Sequence, residues 1–511
     1  MVPRSYFARL CLFLCVFVSF LYSVDCSTEK ESHSLFDGWT VPSSSNDKFS
    51  VIVGDHDRVV DDATMDVLLD YVLSYWTWRY IEPHQTKSNE RGIWIANYSP
   101  SLFRQSRVLR AINTFVHQSH NDSSLELESV CARAVQRGDI NHIEHANGMV
   151  GSDAFVLLMF LNLNKTWGKN DGGELILWDK DGTLLTVVHP KYGRMVTFPS
   201  EFSLLYKPPS IATTATQIII QMSFALKDIS KVDVEMFRND DVVKNEFPLP
   251  IVTSALVIDI ESHITRRYYS AKGLSVTILD NIFSREDLDI LRNFVLDNGT
   301  YNFDLSVDSA DNVKWVTGYE VAEFMKSRIW VVAKQVVDHI TKRSDYYPYD
   351  VTCNLIRGFD HPEIHTDCEP EQDEYTFLVY LNPNCTADWQ GETSFFEENG
   401  ELFASIRPRY GRIALFHGAI LHSGHPFSLL YSQARLTFAI KMLPKKEANE
   451  YLKQELLESI EGIIDLVTEE EKQQLKKAMR SVEEGSRNLE WLDEMFRQVS
   501  VNSENVLRNK L

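Results

Sequence analysis

The chain has 511 residues, room for two to four domains, and its 44% hydrophobic and 24% charged content is that of a globular protein able to bury real cores. The formal net charge is −21 and no basic run stands out, which argues against nucleic acid as a partner, since binding to phosphates depends on clustered Lys and Arg. An acidic balance suits a neutral or basic polypeptide instead.

At the N-terminus, Arg4 and Arg9 precede a nearly all-apolar run from Leu10 to Tyr22. That run is short for a membrane span of roughly 20 residues. It reads as a secretory signal peptide over 1–26, with an uncleaved signal anchor as the alternative. N-x-S/T sequons start at Asn97, Asn121, Asn164, Asn298 and Asn384, as expected of a glycoprotein in the secretory route. The chain ends Arg508-Asn-Lys-Leu511, without a KDEL-like signal, so the expectation is the endoplasmic reticulum lumen or secretion, with no stable membrane span. Four of the seven cysteines lie beyond this region, at 131, 353, 368 and 385. Cys368 and Cys385 flank one expected strand, so a bridge between them and two free thiols are both open.

Residues 27–47 are polar and Ser-rich and read as flexible. A first globular region, 48–230, shows helical periodicity over Asp62–Tyr71 and Leu102–Val116, then strand-like runs at Phe155–Asn162, Glu174–Trp178, Arg194–Phe198 and Gln217–Leu226. A connector over roughly 228–272 contains Pro248 and Pro250. In the second region, 272–443, Ser284-x-x-Asp287 opens a helix carrying Leu288, Leu291, Phe294 and Val295 on one face. A longer helical pattern covers Tyr319–Ile340. Strands are expected at Tyr375–Asn382, Glu392–Phe396, Leu402–Ile406, Arg412–Phe416 and Arg435–Met442. From 445 to 511 the pattern is helical, with Thr468-x-x-Glu471 as a cap and a third helix near Leu489–Phe496. This extension is expected to pack on the second region, with a dimerisation or partner-binding element as the alternative.

The two regions are copies of each other. His189-Pro-Lys-Tyr-Gly-Arg194 answers Arg407-Pro-Arg-Tyr-Gly-Arg412, Gly173-Glu174 answers Gly391-Glu392, and Phe155–Asn162 answers Tyr375–Asn382. The offset stays near 220 residues, so two α+β domains follow one another.

His365-Thr-Asp367 places two metal donors on one face of an extended segment. Alone the pair is weak. It gains weight from the order downstream: Gly391-Glu392, Gly411-Arg412, His422, and Arg435 opening the last strand. Two imidazoles and one carboxylate make the facial set suited to non-haem Fe(II), leaving positions open for co-substrate and oxygen. Arg435, in a core-like strand, can take a dicarboxylate co-substrate by a bidentate pair.

At this point residues 275–443 resemble the prolyl hydroxylase-like Fe(II)/2-oxoglutarate-dependent dioxygenases. The resemblance is carried by His365-Thr-Asp367, Tyr375–Asn382, Gly391–Phe396, Ala404–Arg412 and Leu421-His-Ser-Gly-His-Pro426. Cys368 directly after the His-x-Asp, and the Ala404-Ser-Ile-x-Pro run, look most like the collagen prolyl 3-hydroxylases. The resemblance implies a double-stranded β-helix (jelly roll) with flanking helices. It also implies His365, Asp367 and His422 as iron ligands, Arg435 on the 5-carboxylate of 2-oxoglutarate, Tyr380 assisting that carboxylate, and L-ascorbate as reductant. His425 competes with His422 as distal ligand, because its gap to Arg435 is nearer the family's. Gln390-Gly391 stands where the family has Gly-Gly.

Aligned on the repeat, His145 meets His365, Asn147 meets Asp367, Leu204 meets His422, and Gln217 or Gln221 meets Arg435. The first copy is therefore expected to bind no iron. The expected function is hydroxylation of a secretory-pathway polypeptide, collagen-like targets included, with succinate and carbon dioxide as co-products. The rival expectations are a non-catalytic tandem jelly-roll binding protein and an oxygenase of a lipid or small metabolite.

Overall fold

A computed structural model describes the chain between residues 39 and 483. Outside the described residues lie 1–38, 484–511 and several internal runs, the longest being 55–64, 82–92, 146–153, 227–246, 251–257, 304–314 and 464–468. The expected signal segment, Thr468, the third C-terminal helix, Asn147 and most of the first expected helix fall outside them. The chain divides into two compact units. The first comprises Met1–Trp78, His84–Asp241 and Glu455–Leu511, and the second Arg79–Pro83 and Val242–Gln454.

The strands of the first repeat are β1 (Trp39–Ser43), β2 (Asn46–Gly54), β3 (Trp78–Ile81), β4 (Ile93–Tyr98), β5 (Leu125–Val135), β6 (Glu144–His145), β7 (Phe155–Phe160), β8 (Leu175–Trp178), β9 (Leu184–Val188), β10 (Met195–Pro199), β11 (Ser203–Tyr206) and β12 (Gln217–Leu226), all within the first unit except β3, which begins at its boundary. They form an eight-stranded sheet, β1-β2-β10-β7-β12-β5-β4-β3, and a four-stranded one, β6-β11-β8-β9. β1 and β2 overlap the 27–47 stretch expected to be flexible, so that reading fails from Trp39 onward.

The second unit repeats the order. Its strands are β13 (Ile264–Tyr269), β14 (Ser275–Leu279), β15 (Asn302–Phe303), β16 (Trp315–Gly318), β17 (Tyr346–Ile356), β18 (Tyr375–Tyr380), β19 (Thr393–Phe396), β20 (Leu402–Ile406), β21 (Ile413–His417), β22 (Leu421–Gly424) and β23 (Arg435–Pro444). The large sheet runs β13-β14-β21-β18-β23-β17-β16-β15 and the small one β20-β19-β22. All pairings are antiparallel, in the arrangement that a jelly roll uses. β13 lies upstream of residue 272, inside what the sequence reads as connector. As an edge strand with Arg266 and Arg267 exposed, it lacks the apolar alternation of an inner strand.

Central strands are read easily for a physical reason. β18 sits between β21 and β23, is buried along nearly its whole length and is accordingly a continuous apolar run. The shared Tyr-Gly-Arg turn is structural in both copies. Arg194 and Arg412 each donate from Nη1 to the carbonyl five residues back, His189 and Arg407, at 2.9 Å. Tyr192 and Tyr410 each donate to an aspartate, Asp66 at 2.5 Å and Asp289 at 2.6 Å. Arg412 also grips Asp280 through Nε and Nη2, both at 2.8 Å.

Helices follow their caps. Ser284 accepts from the Asp287 amide at 3.1 Å and opens the helix Arg285–Asp297, whose Leu288, Leu291 and Val295 are buried as expected. The single pattern read over Tyr319–Ile340 is two elements, Val321–Phe324 and Arg328–Thr341, because Ser327 takes an extended conformation and caps the second by accepting from the Trp330 amide. Leu102–Val116 is likewise divided into Pro100–Arg104 and Arg107–His120. Only the start of the C-terminal extension belongs to the second unit, where Ala448, Tyr451 and Leu452 of the helix Lys445–Ile463 pack on Tyr349 and Leu443. No helix among the described residues is long and apolar enough to cross a membrane.

Candidate metal centre

β22 carries one half of the site and an isolated bridge carries the other. His365 and His422 face each other as an antiparallel pair, with the His365 amide on the His422 carbonyl at 3.0 Å and the His422 amide on the His365 carbonyl at 2.8 Å. This pairing places the two rings side by side, with centroids 4.4 Å apart. Asp367, two residues on, is anchored by its amide to the Gly418 carbonyl at 2.8 Å. One donor atom from each of His365, Asp367 and His422 then lies within 4.8 Å of the other two.

Each imidazole is held in one tautomer. His365 Nδ1 lies 3.0 Å from the Glu363 carbonyl and His422 Nδ1 lies 2.9 Å from the Ile420 carbonyl. A carbonyl only accepts, so Nδ1 carries the hydrogen in both rings and Nε2 is the atom left to face a metal. Both Nε2 atoms face Asp367, from His365 at 3.9 Å to Oδ1 and from His422 at 3.7 Å to Oδ2. Burial lowers the His422 imidazolium to about 4, with His365 adding to the effect, so His422 is neutral near pH 7. Burial by itself would raise the Asp367 carboxyl. Lys441, His422 and His365 outweigh it and hold the group well below the usual carboxylate range. Two imidazole nitrogens and one anionic oxygen fit a divalent non-haem iron, and the one nearby thiol does not compete. Burial pushes Cys368 up to about 12, and its Sγ turns to the Gln372 carbonyl. Cys368 and Cys385 are both free, so the bridge between them is not formed.

The expected cation lies deeper. Arg435 is 2% exposed and donates from Nε to the Gly391 carbonyl at 2.8 Å and from Nη2 to Thr393 Oγ1 at 2.7 Å. Thr393 Oγ1 also meets the Tyr380 hydroxyl at 2.6 Å, and the guanidinium carbon stands 5.4 Å from the Tyr380 ring centroid. Burial raises the Tyr380 phenol, which stays protonated. On β19 and β22, Phe395 pairs with His422 and Thr393 with Gly424. Ligand and cation levels are therefore two residues apart, roughly 7 Å, a spacing that a five-carbon dicarboxylate can bridge. A Cβ on Gly424 would stand 2.9 Å from Arg435 Nη1, so only glycine leaves the guanidinium its seat. Gln390 takes φ 61, a conformation that glycine adopts freely, and this is the cost of having glutamine where the family has its first glycine. Gly391, at φ +83 and with the Phe427 ring 2.4 Å from where a Cβ would be, tolerates no side chain.

His425 is outside the cluster. Its amide bonds the Glu392 carbonyl and its Nε2 lies 3.0 Å from Ser394 Oγ. Sequence reasoning missed Thr376 and Lys441, which hold Asp367, and Thr393, which joins Arg435 to Tyr380. A polar residue at alternate positions of a buried strand is the signal that could have found all three.

The first copy is aligned differently by its register. Leu204 pairs with Leu177, as His422 does with Phe395, and so stands for His422 as expected. But Leu204 is opposite Glu144, not His145. Glu144 therefore takes the place of His365, a one-residue correction to the expected His145, while the expected Asn147 lies outside the described residues. Ile219 pairs with Phe160 as Thr437 does with Tyr380, which places Gln217 and not Gln221 at Arg435. Gln217 even repeats the bond to the glycine carbonyl, from Nε2 to Gly173 at 2.8 Å.

The model of the 2OG-Fe(II) oxygenase superfamily matches residues 132–205 and 352–440, one segment in each unit. The matched segments are thus similar to 2-oxoglutarate-dependent dioxygenases, and the second segment is the one that contains His365, Asp367, His422 and Arg435. No curated protein sequence matches the chain significantly. Among solved structures, a Pseudomonas putida prolyl-4-hydroxylase aligns at 16% identity and TM-score 0.26, covering 35% of this chain and 92% of its own. A Trichoplax adhaerens prolyl hydroxylase in complex with a peptide of the hypoxia inducible factor oxygen degradation domain aligns at 15% and 0.26, covering 34% and 83%. The viral collagen prolyl hydroxylase of Paramecium Bursaria Chlorella virus-1 aligns at 16% and 0.25, covering 38% and 100%.

Proposed function

We propose that the second unit hydroxylates prolyl residues of a secretory-pathway polypeptide, and that the chain is a tandem of two jelly rolls of which only the second is catalytic. The observation that carries the catalytic part is the His365, Asp367, His422 cluster, with each Nδ1 committed to a carbonyl and each Nε2 turned to the carboxylate. Those three side chains would hold Fe(II). Arg435, seated by Gly391 and Thr393, would take the distal carboxylate of 2-oxoglutarate, with Tyr380 beside it. When bound, the iron and its co-substrate supply an oxidation by O2 that places a hydroxyl on a C–H bond while 2-oxoglutarate becomes succinate and carbon dioxide. The chain's own contribution is geometric and electrostatic. The tautomers are fixed, the carboxylate is kept anionic, and Phe395 and Phe416 pack against the His422 ring and keep water from it. Prolyl substrate, ascorbate and the secretory route rest on the resemblance of the motifs and on the apolar N-terminal run.

The test is succinate release from 2-oxoglutarate by the full chain supplied with Fe(II) and ascorbate, beside Asp367→Ala. Iron-dependent succinate that falls at least a hundred-fold in the variant is the expected result, and a panel of proline-containing against lysine-containing peptides should then accelerate turnover only with proline. Absence of both metal binding and turnover would leave a non-catalytic binding protein. Turnover stimulated by a lipid and by no peptide would overturn the polypeptide substrate.

A further inference from the structure

The cluster contains a cation to which the proposed reaction gives no part. Lys441 lies on β23 six residues beyond Arg435, hence on the same face of the strand. Its Nζ donates to Asp367 Oδ1 at 2.9 Å. The other carboxylate oxygen, Oδ2, accepts from Thr376 Oγ1 at 2.6 Å. Thr376 and Lys441 are themselves a direct cross-strand pair between β18 and β23. Opposed residues of an antiparallel pair project to one side of the sheet, so the two donors converge on one carboxylate from neighbouring strands.

We propose that Thr376 and Lys441 form a clamp on Asp367 and that Lys441 is the positioning residue that fixes the orientation of this carboxylate as a metal ligand. The inference rests on the metal-binding reading above. A carboxylate free to rotate can present both oxygens to a cation and occupy a position that co-substrate or oxygen needs. One pinned at both oxygens by fixed donors cannot rotate, and keeps Oδ1 toward Nε2 of His365 and Oδ2 toward Nε2 of His422. Partners behind a ligand commonly set metal affinity by factors of about 10 to 100. The molecule contains its own control. In the first unit the equivalent cross-strand pair is Val156 with Ser223, so the clamp is missing in the copy that has Leu204 where His422 would be. Neither Thr376 nor Lys441 is needed for the sheet as such, since valine and serine fill the same pair there.

The experiment is titration of the metal-free full chain with Co(II), read by visible absorption and by heat. Wild type, Lys441→Met, Lys441→Gln and Thr376→Val are compared, each first checked for a native circular-dichroism spectrum without metal. Wild type should take up one Co(II). Lys441→Met should bind at least ten-fold more weakly with an altered visible spectrum, and Thr376→Val should move both in the same direction by less. Should Lys441→Met fail to fold, Lys441→Gln is held to the same expectation of weaker binding and a changed spectrum. Wild-type affinity and spectrum in a folded Lys441 variant, or tighter binding in it, would overturn the clamp while leaving the metal centre intact. No uptake by wild type would remove the metal centre itself, and the clamp with it.

Discussion

At the scale of single residues, the site is surrounded by more buried charge than the ligands need. Glu374 is 2% exposed, accepts from the Tyr349 hydroxyl at 2.6 Å through Oε2, and has no hydrogen-bond partner at Oε1 among the described residues. Burial pushes its carboxyl up to about 7; Lys441 pulls it back and Asp367 raises it further. The folded value is above the unfolded one near 4.5, so the contribution to stability has a definite sign. Below about pH 4.5 the proton is bound in both states and the group is neutral for folding. As pH rises through 7 the folded state must give up a proton that the unfolded state has already lost, and stability falls by on the order of 3 kcal/mol. Glu374→Gln abolishes this dependence. Denaturant unfolding of the metal-free chain should show the variant gaining on wild type by about that amount between pH 5 and pH 8, whereas a constant difference across that range would mean that Glu374 ionises normally.

At the scale of elements, the strand pair β19 and β22 aligns ligand and co-substrate levels, and this divides the site into separately testable parts. Gly424→Ala puts a methyl group 2.9 Å from Arg435 Nη1, and that guanidinium is held at Nε and Nη2. The side chain cannot swing away without leaving Gly391 or Thr393. Losing one charge-assisted bond of this kind costs about 1.5–3 kcal/mol, so the KM for 2-oxoglutarate should rise by roughly ten-fold to a hundred-fold. Co(II) affinity should stay at the wild-type value, because His422 keeps its pairing with Phe395. Metal affinity falling in step with KM would show that the two levels are not separable. The same strands show what was legible in the sequence. The cluster of His365, Asp367 and His422, the burial of Arg435 and Tyr380 and the inner strands β18, β21 and β23 could be read, since one run is buried throughout and the site motifs have fixed spacing. β17 was missed because its eleven residues are mostly buried and include a proline, so no alternation marks it. β22 was missed because four residues, Leu-His-Ser-Gly, carry no periodicity at all. Lys441 was passed over because a lysine in a strand reads as solvent-facing unless its neighbour across the sheet is known.

At the scale of the whole molecule, two copies with one strand order differ in what fills their interiors. Where the second unit has Thr376, Tyr380, Thr393, His422 and Thr437, the first has Val156, Phe160, Leu175, Leu204 and Ile219, all members of one buried apolar cluster. A polar pocket has become a packed core, and the hydroxyls and imidazole that needed partners are gone. The register of the repeat could not be read from sequence because the loop before Glu144 hides a one-residue offset, and a one-residue slip exchanges every position on a strand for its neighbour. The expected absence of a site in the first copy therefore rests on a different residue, Glu144, from the one the sequence offered. Metal titration of the full chain should saturate at one equivalent, and Asp367→Ala should reduce it to none. Leu204→His, which restores a ligand type at the matching position, should add no second equivalent, since Glu144 and not an imidazole stands opposite it and the clamp pair is Val156 with Ser223. It should instead lower the thermal midpoint, because an imidazole without a partner would replace a leucine that is 1% exposed. A second equivalent in wild type, lost on Glu144→Ala and kept in Asp367→Ala, would mean that the first copy has built a site of its own. Uptake limited to one equivalent would leave the first unit as a scaffold, kept because its strands still close around apolar side chains.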